Sequence, residues 1–566
     1  MVEDRMFALC ITLTLLCVAG LSATTAPVVD LSYARYQGIR NDTLGIVKYY
    51  GLPYAAPPTG ELRWRAPVDI EHHIQPPPQE SLAINASSPG PSCVQGNPAW
   101  TEELADVITS ATGGAPISDP TTPENEDCLH LDIIVPQNPA SRKLPVIVQI
   151  HGGGYVTGNS LNEDGSQFVS YANGSVVWVQ IQYRLGVSGF LGSQDVLQDG
   201  VANAGLLDQR AALNWVQRNI HAFGGDPSQV TIWGPSAGGG SVTSQLILHG
   251  GSDKPPFHAA IVEYPWWQPV HTDDTLETQY ELLLLTSNCS NLACLRNLSD
   301  DDLMSASKTV YETGYQKGYY GYGDYYFGPF VDGEIIRDLP SREFANQHFS
   351  QVPLLIDHDA QEGWMFTNFS LSHEREVQPD LEKIWPAANQ SFFDQILQKH
   401  YPITQFKGTF WDDTFYTEVA NFIPILTNNS IFYQRADIFA DFAINCPTFY
   451  VAHAASTAEL PVYKMRFAAG LEVHGATVEY LLYPAEATGN ATLADAMKDY
   501  FLSFALAHDP NALSSQSLPT WPRYSDPEDG RHRVLEVDAD SIHAVQDRDA
   551  SARCKFFHEQ SGIVRN

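Results

Sequence analysis

Lysine and arginine are scarce in this chain: 32 of them stand against 66 aspartates and glutamates in 566 residues, a formal charge of -34. A surface of that sign repels phosphate backbones and anionic membranes, which argues against nucleic acid as a partner. Long apolar runs are equally few. One, Met6 to Leu21, is followed by Ser22-Ala23-Thr24 and reads as a secretory signal peptide at residues 1–23, too short for a membrane span. Glu3-Asp4-Arg5 ahead of it lacks the usual positive balance, so a signal anchor is the alternative reading. No second apolar span follows, and the tail Ser561 to Asn566 is too polar for a GPI signal. Metal signatures are missing as well: there is no His-Glu-x-x-His, the later cysteines lack zinc-finger spacing, and His72-His73 reads as an exposed pair. No metal and no cofactor is therefore expected. Internal repeats and clear linkers are also lacking, which leaves residues 24–566 as one unit.

Cysteine is present in a telling number. Cys10 and Cys17 fall in the leader, leaving Cys93, Cys128, Cys289, Cys294, Cys446 and Cys554, an even count suited to three disulfides in an oxidising compartment. Six cysteines allow fifteen pairings. Nine Asn-x-Ser/Thr sequons, at Asn41, Asn85, Asn173, Asn288, Asn297, Asn368, Asn389, Asn428 and Asn490, fit the same secreted, extracellular setting.

Regular structure is announced by Leu144 to Ile150 and Val176 to Gln182, near-continuous apolar runs rich in β-branched residues, as in strands buried on both faces. Leu206 to Phe223 carries helical spacing and stops at Gly224-Gly225. A strand into Ser236, a helix through Leu246 and a strand Ala259 to Val262 follow, and the alternation predicts an α/β fold with a mostly parallel, doubly wound sheet and helices on both faces. Strand signals return at Val352 to Ile356 and Val462 to Phe467, and a last helix is expected over Leu493 to Ala507. Between Cys93 and Cys128 the Gly, Pro, Thr and Asp content reads as a long loop without helical or strand periodicity over most of its length, which a disulfide across it would clamp. Tyr311 to Phe327 holds eight aromatic residues at irregular spacing and reads as an insertion or cap, its rings either packing on the core or lining a substrate gorge.

The chemistry gathers at Gly234-Pro235-Ser236-Ala237-Gly238, a Gly-x-Ser-x-Gly turn between strand and helix, with Ser236 as candidate nucleophile. Upstream, His151-Gly152-Gly153-Gly154-Tyr155 leaves backbone N–H groups unshielded at the carboxyl end of a strand, as an oxyanion hole requires. A serine hydroxyl needs a histidine to take its proton and an acid to orient that histidine. Among 18 histidines, His474 in a loop after a strand is the candidate base, with His453, inside a helical-looking run, as competitor. Asp357, Asp359 and Glu362 all follow a strand, and spacing does not choose among them.

Four motifs together, Asn125-Glu-Asp-Cys-Leu-His-Leu131, His151-Gly-Gly-Gly154, Gly234-Pro-Ser-Ala-Gly-Gly239 and Phe327-Gly-Pro-Phe-Val-Asp-Gly333, resemble the type-B carboxylesterase and lipase family, which includes cholinesterases and secreted fungal esterases. The resemblance runs over nearly the whole chain after the leader. It implies an α/β-hydrolase fold with cap and loop insertions, with Ser236 as nucleophile, Glu362 as acid, His474 as base, and the N–H groups of Gly153, Gly154 and Ala237 as oxyanion donors. It also implies disulfides Cys93–Cys128, Cys289–Cys294 and Cys446–Cys554, and structural ion pairs Arg63–Glu126 and Arg184–Asp208.

Two departures bear on substrate. Cholinesterases carry a carboxylate immediately before the serine, where this chain has Pro235, which argues against choline esters. Relatives often run Gln-Ser-Gly-Ser where this chain has Glu263-Tyr-Pro-Trp-Trp267, so Trp266 and Trp267, with Tyr155, are candidates for the walls of a substrate pocket; core packing is the alternative. The expected function is a secreted serine carboxylic-ester hydrolase acting on a small-molecule or lipid ester through an acyl-enzyme. An acyltransferase or lactonising enzyme using the same acyl-enzyme, and a non-catalytic binding protein of the same fold, are the alternatives.

Overall fold

The computed structural model describes residues 27–73, 82–112, 122–407, 429–525 and 532–566. The expected leader at 1–23 and the sequon at Asn428 lie outside the described residues. In chain order the strands are β1 (Val28–Leu31), β2 (Ala34–Gln37), β3 (Ile39–Asn41), β4 (Ile46–Pro53), β5 (Ile84–Asn85), β6 (His130–Pro136) and β7 (Leu144–Ile150). They continue as β8 (Val177–Ile181), β9 (Gly225–Pro235), β10 (Ala259–Glu263), β11 (Leu354–Asp359), β12 (Val462–Ala468), β13 (Arg533–Asp538) and β14 (Ile542–Gln546). Strands β1, β2 and β5 make a small sheet; the other eleven form one sheet in the order β14-β13-β12-β11-β10-β9-β7-β8-β6-β4-β3. From β8 to β13 every neighbouring pair is parallel, and antiparallel pairs finish both edges. This is the mostly parallel α/β-hydrolase sheet.

Why the central strands are apolar throughout is visible in their alternation. Val146, Val148 and Ile150 of β7 enter one core with Val177, Val179 and Ile181 of β8, while Ile147 and Trp178 point into a second core on the opposite face. Each of these side chains contributes ~1.5–3 kcal/mol on full burial. Register locks the alternation, with Val148 opposite both Val179 and Ile232. Helices Ala204–Asn219 and Ala237–Ile247 fill the first core. On the other face Ala491–Ala507 brings Phe501 onto Trp233, which also meets Trp178, at ring separations of 5.3 and 5.2 Å.

The helix expected over Leu206 to Phe223 forms as Ala204–Asn219 continued by a 3-10 turn, Ile220–Phe223, and Gly224 ends it with φ 85°. Two expectations need correction. Within the Cys93 to Cys128 segment, read as a loop, Ala99–Thr112 is a helix, while residues 113–121 lie outside the described residues. Tertiary contact supplies what periodicity did not: Trp100 is buried against Tyr322 and Tyr325, and its indole N–H donates to the carbonyl of Asp324 at 2.7 Å. The strand expected at Val352 to Ile356 begins at Leu354 and runs on to Asp359, since pairing with β12 continues through Asp359 opposite Phe467.

Disulfides join Cys93 to Cys128, Cys289 to Cys294 and Cys446 to Cys554, with Cα separations of 5.0, 5.5 and 5.1 Å. The third ties helix Cys446–Thr457 to helix Ala552–Glu559. Two buried ion pairs fix the loops beside the sheet. Arg184 grips Asp208 in a two-point fork of 2.7 and 2.8 Å, and Arg63 meets Glu126 while also donating to the carbonyls of Leu295, Arg296 and Leu298. Of the sequons, Asn85, Asn173, Asn288, Asn297 and Asn389 are exposed, and Asn41, Asn368 and Asn490 half-buried.

Cys446–Cys554 spans 108 residues and Cys289–Cys294 only 5. Loop-closure entropy therefore predicts that the double serine variant of the first loses ~5 kcal/mol and that of the second ~2 kcal/mol. Urea unfolding of the two variants checks the order.

Candidate active site

Strand β9 ends at Pro235 and helix Ala237–Ile247 begins two residues later, leaving Ser236 alone in the turn at φ 54°, ψ -123°. A side chain held at positive φ costs ~1–3 kcal/mol, so the surroundings must fix it. They do: the Ser236 N–H donates to the carbonyl of Glu263 at 3.1 Å, and the Ser236 carbonyl accepts from Gly240 at 2.9 Å and Trp266 at 2.8 Å. The neighbouring glycines are dictated by contact. A Cβ on Gly234 would stand 2.3 Å from the Gly238 backbone, and one on Gly238 would stand 2.0 Å from the Ile150 carbonyl oxygen.

The loop leaving β7 lies against this turn, since a Cβ on Gly152 would be 3.2 Å from that of Ser236. Gly153 and Gly154 take φ 101° and 62°. A Cβ on Gly154 would meet the Tyr325 ring at 2.3 Å. Among the described residues, the N–H groups of Gly153, Gly154 and Ala237 have no backbone acceptor. Beneath the loop, His151 stacks on Tyr183 at 4.5 Å, and burial pushes its pKa down to about 4, so it stays neutral and adds no charge under the glycines.

His474 stands in the loop after β12 and Glu362 in the loop after β11. His474 Nε2 is 2.8 Å from Ser236 Oγ, and His474 Nδ1 is 2.5 Å from Glu362 Oε2. Glu362 is fully buried and its Oε1 accepts the Asp359 N–H at 2.5 Å. Of the three acids that spacing left open, Glu362 reaches the imidazole. Asp357 and Asp359 are held in β11: Asp357 Oδ1 accepts the Tyr264 N–H at 3.2 Å, and Asp359 Oδ2 accepts the N–H groups of Gly475 and Ala476 at 2.7 and 3.2 Å. Burial raises Asp357 and Asp359 well above the ordinary aspartate range, neighbouring carboxylates adding to it, and pushes Glu263 on β10 up to about 7. The loops of acid and histidine are themselves joined, the Gln361 N–H donating to the Glu472 carbonyl at 2.8 Å.

Aromatic rings wall this region. Tyr264 and Phe366 each present an edge contact to the His474 ring at 4.9 Å, and Trp266 packs on Phe366, Tyr325 and Phe439 at 4.5, 5.3 and 5.6 Å. Tyr155 is buried, with its hydroxyl 3.3 Å from the Trp266 carbonyl oxygen. Trp267 instead is buried, stacking on Phe344 at 5.9 Å and donating to Thr243 at 2.9 Å. In the Tyr-rich stretch, Tyr311, Tyr320, Tyr322, Tyr326 and Phe327 are buried packing, and Tyr325 is the ring that covers Gly154. Sequence reasoning passed over Phe366 and Phe439; Phe366, four residues after Glu362, carried the clearer positional signal. His453 is exposed on helix Cys446–Thr457 and lines a separate cavity of about 600 Å³ with Phe449, His532 and His558, which includes none of Ser236, Glu362 and His474.

Among known proteins, the model of the Carboxylesterase family matches residues 25–557. The chain is similar to Carboxylesterase patB of Penicillium expansum, 28% identical over 585 residues covering 95% of this chain and 96% of that one. It is similar to Secreted lipase 1 of Botryotinia fuckeliana (strain B05.10), 31% identical with 88% of each covered. In structure it is similar to Aspergillus niger EstA, with TM-score 0.79 and 27% identity over 96% of this chain and 99% of that one.

The contact of Gly238 with the end of β7 yields a test. Gly238→Ala should force the turn and the glycine loop apart and, for a displacement near 1 Å, lower kcat/KM by ~10²-fold. Steady-state ester hydrolysis beside a circular-dichroism melt measures it; an unimpaired variant would show that the close approach is not needed.

Proposed function

The chain belongs to the carboxylesterase family and is a carboxylic ester hydrolase; on that premise we propose that it is secreted and works through an acyl-enzyme on Ser236. In this reading Ser236 Oγ attacks the ester carbonyl while its proton passes to His474 Nε2. Glu362 at Nδ1 fixes the tautomer that leaves Nε2 free to accept, and stabilises the imidazolium once formed. Negative charge developing on the carbonyl oxygen is taken by the N–H groups of Gly153, Gly154 and Ala237. The alcohol leaves with the proton from His474, and water, activated by the same imidazole, cleaves the acyl-enzyme to release the acid.

The observation that carries this reading is the continuous line from Ser236 Oγ through the imidazole to Glu362, at 2.8 and 2.5 Å. Pro235 puts no carboxylate before the serine, so uncharged alcohol groups are favoured over choline. Secretion is supported by three disulfides and by a relative named as a secreted lipase. Residues 24–566 act in this account as one catalytic unit after a leader at 1–23.

Ser236→Ala should lower kcat by ~10⁶-fold, by analogy with other serine triads, without loss of fold. A panel of short-chain, long-chain, aromatic-acid and choline esters, run on both proteins, reads out role and preference together. Near-normal hydrolysis by the variant would remove Ser236 from its role, and a strong preference for choline esters would overturn the reading of Pro235.

A further inference from the structure

We propose that Asp359 is a positioning residue of this site, tying the acid Glu362 and the loop of His474 into one unit; the proposal rests on the roles given above to Ser236, Glu362 and His474. Asp359 is the last residue of β11 and sits opposite Phe467 of β12, so the sheet fixes its place from both strands. From there it reaches in two directions. Its backbone N–H donates to Glu362 Oε1 at 2.5 Å, aiming the other carboxylate oxygen at the imidazole. Its side-chain Oδ2 accepts the N–H groups of Gly475 and Ala476, the two residues that follow His474. Gly475 adopts φ 92°, the bend that turns both N–H groups toward one oxygen. Removing the carboxyl would leave the Gly475 N–H without its acceptor, while the Ala476 N–H keeps the Val473 carbonyl at 2.9 Å, and would loosen the residues that follow His474.

Charge agrees with the geometry. The groups facing Asp359 are Glu362 from its own loop, Asp357 from its own strand, Glu263 from β10 and Tyr264, and no lysine or arginine contacts it among the described residues. Burial and the nearby carboxylates keep a proton on it far above the pH at which an ordinary aspartate loses one. A neutral carboxyl still accepts two hydrogen bonds through its carbonyl oxygen. It thus holds the loop without placing a negative charge of its own beside the site.

The test compares Asp359→Ala and Asp359→Asn in the full-length enzyme, with wild type and Ser236→Ala as references. Asp359→Ala should lower kcat by ~10²-fold with KM within about twofold of wild type, because the step affected is proton transfer and not binding. Asp359→Asn, which keeps one carbonyl acceptor and the neutral charge, should recover at least about tenfold of that loss, and its kcat/KM–pH profile should keep the acid limb where wild type has it. If Asp359→Ala does not fold, Asp359→Leu, similar in volume and lacking the acceptor, takes its place. Wild-type kcat in Asp359→Ala, a loss appearing in KM alone, equal loss in the alanine and asparagine variants, or an acid limb displaced to lower pH in Asp359→Asn would overturn the proposal. Hydrolysis by Ser236→Ala would instead defeat the site reading beneath it, so the two failures are distinguishable.

Discussion

Everything that meets at Ser236 depends on how closely one backbone passes another. The turn after β9 and the end of β7 approach until a methyl group on Gly238 would lie 2.0 Å from the Ile150 carbonyl oxygen, inside any permitted contact. Only glycine allows that approach, and only that approach brings the His151 to Gly154 loop against the serine. A helix then starts directly behind Ser236, with the Ala237 N–H at its first turn lacking a backbone acceptor among the described residues. The proposed nucleophile and oxyanion donors are thus set by main-chain geometry, and the glycines at 152, 153, 154, 234 and 238 record it in the sequence.

The second requirement is electrostatic and is met on the neighbouring strands. Glu263, Asp357, Asp359 and Glu362 are buried at or near the carboxyl ends of β10 and β11, with one imidazole among them. Four negative charges could not share that volume without a matching cation, and three of the carboxyls are pushed upward so that protons stay on them longer. Glu362 is the one bonded to His474, and its other oxygen accepts the Asp359 N–H. Division of labour among chemically similar groups follows from position alone. Rings of Tyr264, Phe366 and Trp266 then pack around the imidazole.

Much of this was legible in the chain. Apolar runs with β-branched residues marked β7 to β10 because strands covered on both faces have no polar side to display. The glycine motifs marked the turn and the loop because close backbone approach leaves no other choice of residue. Other features were hidden for physical reasons. β11 was cut short at Ile356 because Asp357, His358 and Asp359 break the apolar run, although parallel pairing carries on through them. The choice among three acids within six residues depended on where that strand ends, which side-chain chemistry did not reveal. Helix Ala99–Thr112 stayed hidden because Trp100 gains its burial from rings more than 200 residues away in sequence. Trp266 and Trp267 looked equivalent, yet one faces the imidazole region and the other Phe344, because adjacent residues leave an extended chain on opposite sides.

The central claim is that ester cleavage passes through a covalent bond to Ser236. The most direct measurement mixes the protein with p-nitrophenyl acetate, quenches in acid within the first turnovers, and locates the acyl group by intact-protein and peptide mass spectrometry. The account predicts one acetyl group per chain, carried on the peptide at Ser236. An acetyl group on another residue, or steady turnover with no acetylated protein at any quench time, would contradict it.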